Sequence, residues 1–442
     1  MPVRPNNRPS RVSARGLLAV IIAGGLVVMA LWWHSTPGVH GLGSWLTGAG
    51  EILGLLCGYG VVVLVALMSR LPPLERGLGT DQLARWHAMG GRYVVSCVVA
   101  HGLLIIWGYA VTAHTSVVSE TATLLTQYPD VLMATVAGFL LLGIGIISMR
   151  AARRRVRYET WYYLHLYTYL AIALAFSHQF ADGASFVSNL AARFWWSAMY
   201  LTVLVLVLWY RVAIPLRSYR RHRFEVLGVK AEAPGVISVY IGGARLDELD
   251  AEPGQFFRWR FLTKSLWWTS HPFSLSAAPG SDVLRITVKN LGDHSQALAR
   301  LQPGTRVFAE GPYGALTPAD SDRGVLLLAG GVGITPLRAI FATLPGHVTL
   351  IYRASSERDI VFRDELDAIA AARGATVHYL VGTRDEIGGD PLSPRVLRSL
   401  VPGLDEQDAY VCGPAGMTTA AVRALRAAGV PRQRIHFESF EF

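Results

Sequence analysis

The run His87-Ala88-Met89-Gly90-Gly91-Arg92-Tyr93-Val94-Val95-Ser96-Cys97-Val98-Val99-Ala100-His101 decides how this chain is read. It lies in an apolar stretch and carries two imidazoles fourteen residues apart. At about 1.5 Å rise per residue that step spans about 21 Å of a hydrocarbon core roughly 30 Å thick. At about 100° per residue it returns His101 to within about 40° of the face carrying His87. A second pair, His165 and His178, lies thirteen residues apart in another long run, which leaves them about 140° apart on an ideal helix. The spacing therefore predicts a kink, a 3₁₀ stretch or a late start between Trp161 and His178. A single histidine in a membrane helix is more often a polar group satisfied by a neighbour. Four at matched depths are costly in lipid and point to function. Neutral imidazole is a standard axial ligand for haem iron, so the pattern points to two stacked haems, one between His87 and His165 and one between His101 and His178.

Composition fits a chain that is half membrane and half soluble. Hydrophobic residues make up 52% and charged residues 16%, and the polar ones concentrate in the C-terminal half. The net charge of +10 is carried almost wholly by arginine, with lysine only at 230, 264 and 289. It clusters beside apolar segments, where anionic lipid attracts it, and needs no nucleic-acid partner. Cys57, Cys97 and Cys412 supply neither a disulfide framework nor four ligands for an iron–sulfur cluster. Electrons must use other cofactors.

Runs near the twenty residues that a spanning helix needs occur at about 16–33, 50–69, 88–110, 131–149, 161–180 and 195–214. Arg4, Arg8, Arg11 and Arg15 precede the first, and Arg70, Arg76 and Arg85 lie between the second and third. Arg150, Arg153, Arg154, Arg155 and Arg157 lie between the fourth and fifth, and Arg217, Arg220, Arg221 and Arg223 follow the sixth. The alternate loops 34–49 and 111–130 have no Lys or Arg, and 181–194 has only Arg193. The positive-inside rule then places both termini in the cytoplasm of a multi-pass cell-membrane protein. No small-residue cleavage pattern follows Trp32-Trp33-His34, which argues against a signal peptide. His87 and His165 fall near the cytoplasmic face, His101 and His178 near the outer face.

From about residue 222 short β-type runs broken by Gly and Pro take over: Phe224 to Val229, Val236 to Ile241, Gln255 to Arg260, Val283 to Val288 and Arg306 to Ala309. They predict a small antiparallel barrel. From Gly324 strand runs at Val325 to Ala329, Val348 to Tyr352, Thr376 to Val381 and Ala409 to Cys412 alternate with helical runs near 336–344, 362–373, 394–400 and 415–428. That is the pattern of a parallel sheet covered on both faces.

Three motifs carry chemistry. His271-Pro272-Phe273-Ser274-Leu275-Ser276, followed by Arg285 to Lys289 and Gly292-Asp293-His294-Ser295, brings a hydroxyl and a cation near Gly-rich backbone, which suits a flavin and its pyrophosphate. Read alone it is a polar strand with a turn. Gly330-Gly331-Val332-Gly333-Ile334-Thr335-Pro336 joins a strand to a helix, where glycines let a pyrophosphate approach backbone N–H groups. Cys412-Gly413-Pro414-Ala415-Gly416-Met417 ends the last of those four strand runs, where open α/β sheets bind ligands, although a buried structural cysteine is the commoner fate. Arg353 and Arg358 follow Val348 to Tyr352 with no acidic residue at the strand end to take a ribose 2′-OH, which favours NADPH over NADH; an ordinary solvated loop is the alternative.

Together these motifs resemble the ferric reductase and NADPH oxidase superfamily over nearly the whole chain. That family has the same histidine spacings, an HPFT-type flavin motif and nicotinamide motifs like GGVGITP and CGPAGM. The resemblance implies that Pro272, Phe273, Ser274 and Ser276, with His271, Lys289, Gly292 and Ser295, hold FAD. It implies that Gly330, Gly331, Gly333, Thr335, Pro336, Gly413 and Pro414 hold NADPH. Cys412, Thr335 and Glu438 would stand at the hydride-transfer site, and Phe440 or Phe442 would stack on the flavin ring. No calcium-binding loops or outer metal site accompany the match, and the arginine that animal oxidases carry beside the outer haem is missing.

The expected architecture is a six-helix α-helical membrane bundle, an antiparallel β-barrel FAD domain and an α/β parallel-sheet nucleotide-binding domain. The expected boundaries are a tail at 1–15, the haem domain at 16–215, the FAD domain at 216–320 and the nucleotide domain at 321–442. The expected partners are membrane lipid, NADPH and a small extracytoplasmic acceptor, with O₂ favoured over a ferric chelate. A bound extracytoplasmic redox protein is the alternative acceptor, and a haem-free bundle anchoring a soluble flavin reductase is the alternative architecture.

Overall fold

The computed structural model describes residues 12–36, 38–149, 155–187, 189–280, 282–290, 292–319, 323–387 and 389–440. Arg4, Arg8, Arg11, Arg150, Arg153, Arg154 and Phe442 lie outside the described residues. The chain divides into two compact units, Met1–Val212 and Ala213–Phe442.

The first unit is helical. Among the described residues, five helices are long and apolar enough to cross a membrane: Ala14–Ser35, Gly41–Leu67, Thr80–Thr112, Val131–Ser148 and the segment Leu190–His222, whose regular α-helix is interrupted by a π-turn at Trp209–Ala213. Their outer faces are apolar, with Val27 68%, Phe139 70% and Trp195 72% exposed, the inverse of a water-soluble bundle. Inside, small residues bring backbones together. A Cβ on Gly43 would lie 3.0 Å from the Gly108 carbonyl, so helices Gly41–Leu67 and Thr80–Thr112 pack in close contact there.

Two expectations change here. The run at 161–180 forms a helix, Tyr158–Ala181, but it is not among the five apolar spans. Glu159, His165, His178, Gln179 and five tyrosines from Tyr158 to Tyr169 dilute its apolar character. The irregularity expected between Trp161 and His178 is also missing, because Tyr158–Ala181 runs as one uninterrupted α-helix. The angular argument took each imidazole to point straight out from the helix axis. A side chain reaching sideways from either flank of a contact face covers tens of degrees, so a wide angular separation needs no break in the helix. Helices Pro72–Leu78 and Val117–Gln127 form in segments read as loops.

The second unit holds three sheets. Strands β1 (Glu225–Ala233), β2 (Val236–Gly242) and β5 (Leu284–Lys289) form one antiparallel sheet in the order β1-β2-β5. Strands β3 (Phe256–Phe261), β4 (His271–Ser274) and β6 (Val307–Tyr313) form another, ordered β4-β3-β6. The antiparallel strands of the expected barrel fall into two three-stranded sheets, joined by isolated bridges between Glu225 and Arg306 and between Leu275 and Ile286. Both enclose one core, in which Trp259, Phe257, Ile241, Leu275 and Ile286 are buried.

The third sheet is parallel and five-stranded, ordered β11-β10-β7-β8-β9, from β7 (Val325–Gly330), β8 (Val348–Ala354), β9 (Thr376–Val381), β10 (Asp408–Pro414) and β11 (Ile435–Phe440). Its central strand β7 reads VLLLAG and is buried throughout, as a strand covered on both faces must be. Helices Ile334–Phe341, Arg363–Arg373, Pro394–Leu400 and Ala415–Ala427 occupy the positions read from the sequence. Strand β4 takes the polar strand read in the flavin motif, and β11 was not anticipated.

Candidate functional site

Two histidines of helix Thr80–Thr112 are oriented by carbonyls of helix Gly41–Leu67. The Nδ1 of His87 lies 3.1 Å from the Leu64 carbonyl and that of His101 lies 2.8 Å from the Gly50 carbonyl. A carbonyl fixes the proton on Nδ1 and leaves the Nε2 lone pair for another partner. Gly54 supports this arrangement, since a Cβ there would stand 2.8 Å from Cε1 of His101. From helix Tyr158–Ala181, His165 brings its ring to 5.8 Å from the His87 ring, at 71° between planes. Trp161 stacks on His165 at 5.3 Å. The Nδ1 of His165 is buried with no hydrogen-bond partner among the described residues. Of the two pairs read from the sequence, His87 and His165 are in ring contact across their helices. Glu51, the lone acidic residue of helix Gly41–Leu67, accepts a 2.8 Å hydrogen bond from the Trp32 indole beside this site. A single carboxylate in an apolar helix was the available signal for it; the orienting carbonyls had none.

The flavin motif forms β4 at the edge of its sheet, paired to β3 with Trp259 opposite His271 and Phe256 opposite Ser274. The Trp259 indole donates to the Phe273 carbonyl at 3.0 Å and anchors the strand. Pro272 is exposed and Phe273 half-buried, so both are open to a ligand. Ser276 is not. It is fully buried, its hydroxyl accepts from Thr287 at 2.8 Å and donates to the Arg285 carbonyl at 3.2 Å, and Thr287 also meets Ser238 at 2.7 Å. Its role is to hold two sheets together. Lys289 and Gly292 are exposed, and the Ser295 hydroxyl accepts from the Gly292 N–H at 3.1 Å, which closes the turn.

The nucleotide motifs converge at the ends of β7 and β10, which pair with Ala329 opposite Cys412. After β7 the chain makes a 3₁₀ turn at Gly331–Gly333 and enters helix Ile334–Phe341. A Cβ on Gly333 would lie 2.7 Å from the Gly413 Cα, so only glycine lets the two motifs touch. Gly331 has φ of +53° and open space where its side chain would be. The Thr335 hydroxyl donates to the Val332 carbonyl at 2.9 Å and, with Pro336, is buried; it shapes the turn. Cys412 is fully buried. Strand β11 runs parallel to β10, with Glu438 beside Cys412 and Phe440 beside Pro414, which carries the C-terminus to the strand ends where such sheets bind ligands.

Arg353 does not stand free for a 2′-phosphate. Its guanidinium donates to the carbonyls of Ala354, Gly382 and, at 2.9 Å, Leu380, tying β8 to the end of β9. Arg358 lies exposed in the turn Glu357–Asp359.

The sequence reading missed a cluster that joins the sheets. Arg285 of β5 is buried, makes a two-pronged ion pair with Glu365 and lies 4.5 Å over the Phe362 ring. Arg338, on the helix that follows the Gly-rich turn, binds the same carboxylate at 2.9 Å. Partial burial alone would raise the pKa of Glu365, but the hydrogen bonds and charges of Arg285 and Arg338 outweigh it and hold the carboxyl below the usual range.

Three family profiles match the chain: a ferric reductase like transmembrane component over residues 53–176, an FAD-binding domain over 223–317 and an oxidoreductase NAD-binding domain over 327–423. The ferredoxin reductase component of 3-ketosteroid-9-alpha-monooxygenase from Mycolicibacterium smegmatis is 34% identical over 230 residues, which cover 49% of this chain and 64% of the relative. Ferredoxin–NADP reductase B of Sorangium cellulosum is 31% identical, over 38% of this chain and 77% of the relative. A flavohemoprotein of Vibrio cholerae is 31% identical, over 43% and 52%. The chain thus spans about half to two thirds of the length of the first curated relatives it matches. Among solved structures, the flavohem-like FAD/NAD-binding domain of nitric oxide dioxygenase from Vibrio cholerae aligns with 27% identity and a TM-score of 0.43, over 50% of this chain and 99% of that one. The transmembrane match and the five apolar helices together point to a multi-pass membrane protein.

Proposed function

Because the chain belongs to the ferric reductase and NADPH oxidase superfamily, with its transmembrane component, FAD-binding domain and NAD-binding domain in that order, we propose that it is a transmembrane flavin-dependent NAD(P)H oxidoreductase. It moves electrons from cytoplasmic NADPH through FAD and two b-type haems to a small acceptor on the far side, with O₂, giving superoxide, favoured over a ferric chelate. The membrane part counts six spans in this reading, Tyr158–Ala181 being the sixth, with both termini in the cytoplasm. FAD held near β4 would supply the change from hydride to single-electron transfer, and haem held by His87, His165, His101 and His178 would supply one-electron transfer across the membrane.

The observation that carries the reading is the meeting of His87 and His165 across two helices. Their ring centroids are 5.8 Å apart. Rings at that separation would hold a haem iron between them. The carbonyls that hold Nδ1 of His87 and His101 leave each Nε2 as the donor such a group would require. His101 and His178 would hold the second haem in the same way.

The chain's own residues prepare the nucleotide and flavin sites. Edge strand β4 leaves backbone groups of Pro272 to Ser274 unpaired by a further strand, which fits recognition of a flavin ring. Open space at Gly331 lets a pyrophosphate approach the backbone. Cys412 and Glu438, side by side on β10 and β11, border the place where nicotinamide would meet flavin.

Anaerobic NADPH added to the purified full chain, followed by absorbance, tests the proposal. Flavin bleaching followed by reduced b-type haem bands is the expected course. Flavin bleaching in a protein that contains no haem would overturn it and leave a membrane-anchored flavin reductase. Superoxide detection with and without a ferric chelate then separates the acceptors.

A further inference from the structure

The last apolar helix does not stop where the hydrocarbon must. Leu190–His222 is 33 residues long, about 50 Å at 1.5 Å per residue, against a core roughly 30 Å thick. Its apolar run ends at about residue 214, and Arg217, Arg220 and Arg221 follow within two turns, where a spanning helix reaches the lipid headgroups. On this extension Ala213, Leu216, Arg217, Arg220 and Arg221 recur at spacings of three and four, so they share one face, apolar towards the core and basic away from it.

That face lines a recess of about 510 Å³ with Ala213, Leu216, Arg217, Arg220, Arg221 and Arg245. Arg245 comes from the turn after β2 and holds a left-handed backbone, φ 56°, at the entry of the 3₁₀ turn Leu246–Glu248. Arg221 is neutralised by an ion pair with Glu248. Arg217, Arg220 and Arg245 have no carboxylate partner among the described residues and are exposed. Three uncompensated guanidinium groups around one recess repel one another unless an anion sits between them. Exposed arginines with apolar flanks, at headgroup depth, match one chemistry: a phosphodiester with acyl chains running towards Ala213 and Leu216.

We propose that this recess binds the headgroup of an anionic phospholipid of the cytoplasmic leaflet, with Arg217, Arg220 and Arg245 as its phosphate ligands. The same helix packs on the FAD-binding half through Tyr219, whose ring lies 5.5 Å from Phe308 of β6. A lipid held on its basic face therefore grips the segment that leads from the last span into the flavin domain.

The test is native mass spectrometry of the detergent-solubilised full chain titrated with phosphatidylglycerol, phosphatidylcholine or inorganic phosphate, a readout that needs neither haem nor turnover. The wild-type protein should retain phosphatidylglycerol and not phosphatidylcholine. The triple variant Arg217→Gln, Arg220→Gln, Arg245→Gln should bind it roughly a hundredfold more weakly. A control that removes equal charge from the nucleotide domain, Arg395→Gln, Arg423→Gln, Arg432→Gln, should bind as the wild type does. Equal retention of the two lipids, equal loss in the control, or full displacement of phosphatidylglycerol by equimolar phosphate would each overturn the proposal. Should the triple variant fail to fold, Arg245→Gln alone, on an exposed turn, must still weaken phosphatidylglycerol binding severalfold, and wild-type binding in that variant would likewise overturn it.

Discussion

Arg285 on β5 and Glu365 on helix Arg363–Arg373, 80 residues apart in sequence, face each other in a two-pronged ion pair of 2.8 and 3.0 Å. Arg285 also donates to the Ser276 carbonyl at 2.8 Å, at the end of the flavin motif, and Arg338 reaches Glu365 from the helix that opens with the nucleotide turn. One carboxylate thus ties the flavin sheet to the nucleotide sheet. Hydride transfer needs nicotinamide and flavin in register, and this ion pair is one of the contacts that join the two halves of the second unit, beside the packing of Val236 and Leu316 in the nucleotide-sheet core.

Glu365→Gln should therefore destabilise the protein by about 1–3 kcal/mol, because it strands buried Arg285; the partial exposure of Glu365 keeps the loss below that of a fully buried pair. The effect has a defined pH dependence. Glu365 has a lowered folded pKa, so its stabilisation is complete above the ordinary glutamate value of about 4.3 and is lost as pH falls through the lowered value. Denaturant unfolding of both proteins at pH 7 and near pH 3 checks this. A gap between them that does not shrink on acidification would refute the assignment.

His101→Ala or His178→Ala should remove one of two b-type haems and leave flavin reduction by NADPH intact, since neither histidine belongs to the second unit. Pyridine haemochrome quantification and stopped-flow flavin bleaching give both numbers. Two haems per chain in both variants would show that these residues are not ligands.

Gly333→Ala should abolish nucleotide-dependent flavin reduction. The added carbon has to displace the backbone of Gly413 or Cys412, both inside the sheet, and a shift of either opens the gap between the two nucleotide motifs. Reduction of bound flavin by dithionite should survive. Normal NADPH kinetics in the variant would mean that the turn has slack the packing does not reveal.

The arginines after β8 should behave differently. Arg358→Gln is expected to raise the KM for NADPH about tenfold and leave NADH unchanged, the loss of one charge-assisted phosphate contact. Arg353→Gln should instead lower stability and affect both nucleotides alike, because its guanidinium holds carbonyls of β8 and β9. Steady-state kinetics with the two nucleotides separate these outcomes, and an NADPH-selective loss in Arg353→Gln would reverse the roles.

Phe440→Ser should raise the use of NADH relative to NADPH if the C-terminal aromatic covers the flavin and must be pushed aside, for then the 2′-phosphate contacts no longer decide which nucleotide displaces it. The position of Phe440 beside Pro414 at the end of β11 motivates the experiment. An unchanged NADH-to-NADPH ratio in this variant and in Phe442→Ser would leave the gate unsupported.

The amino-acid sequence by itself determined the features whose signals are local. Apolar runs marked the helices, alternation and Gly-Pro breaks marked most strands, and the histidine spacing anticipated the ring contact of His87 with His165. Strand β11 escaped because Ile435–Phe440 carries an alternation too brief to separate from a tail. Only the tertiary structure decided how polar groups are spent. Ser276 and Thr335 hold backbone instead of ligand, Arg353 bonds carbonyls, and the imidazoles of His87 and His101 take their orientation from Leu64 and Gly50. Hydrogen bonds depend on distances between atoms far apart in the chain, and a carbonyl is chemically the same on every residue, so no residue pattern records which one will be used.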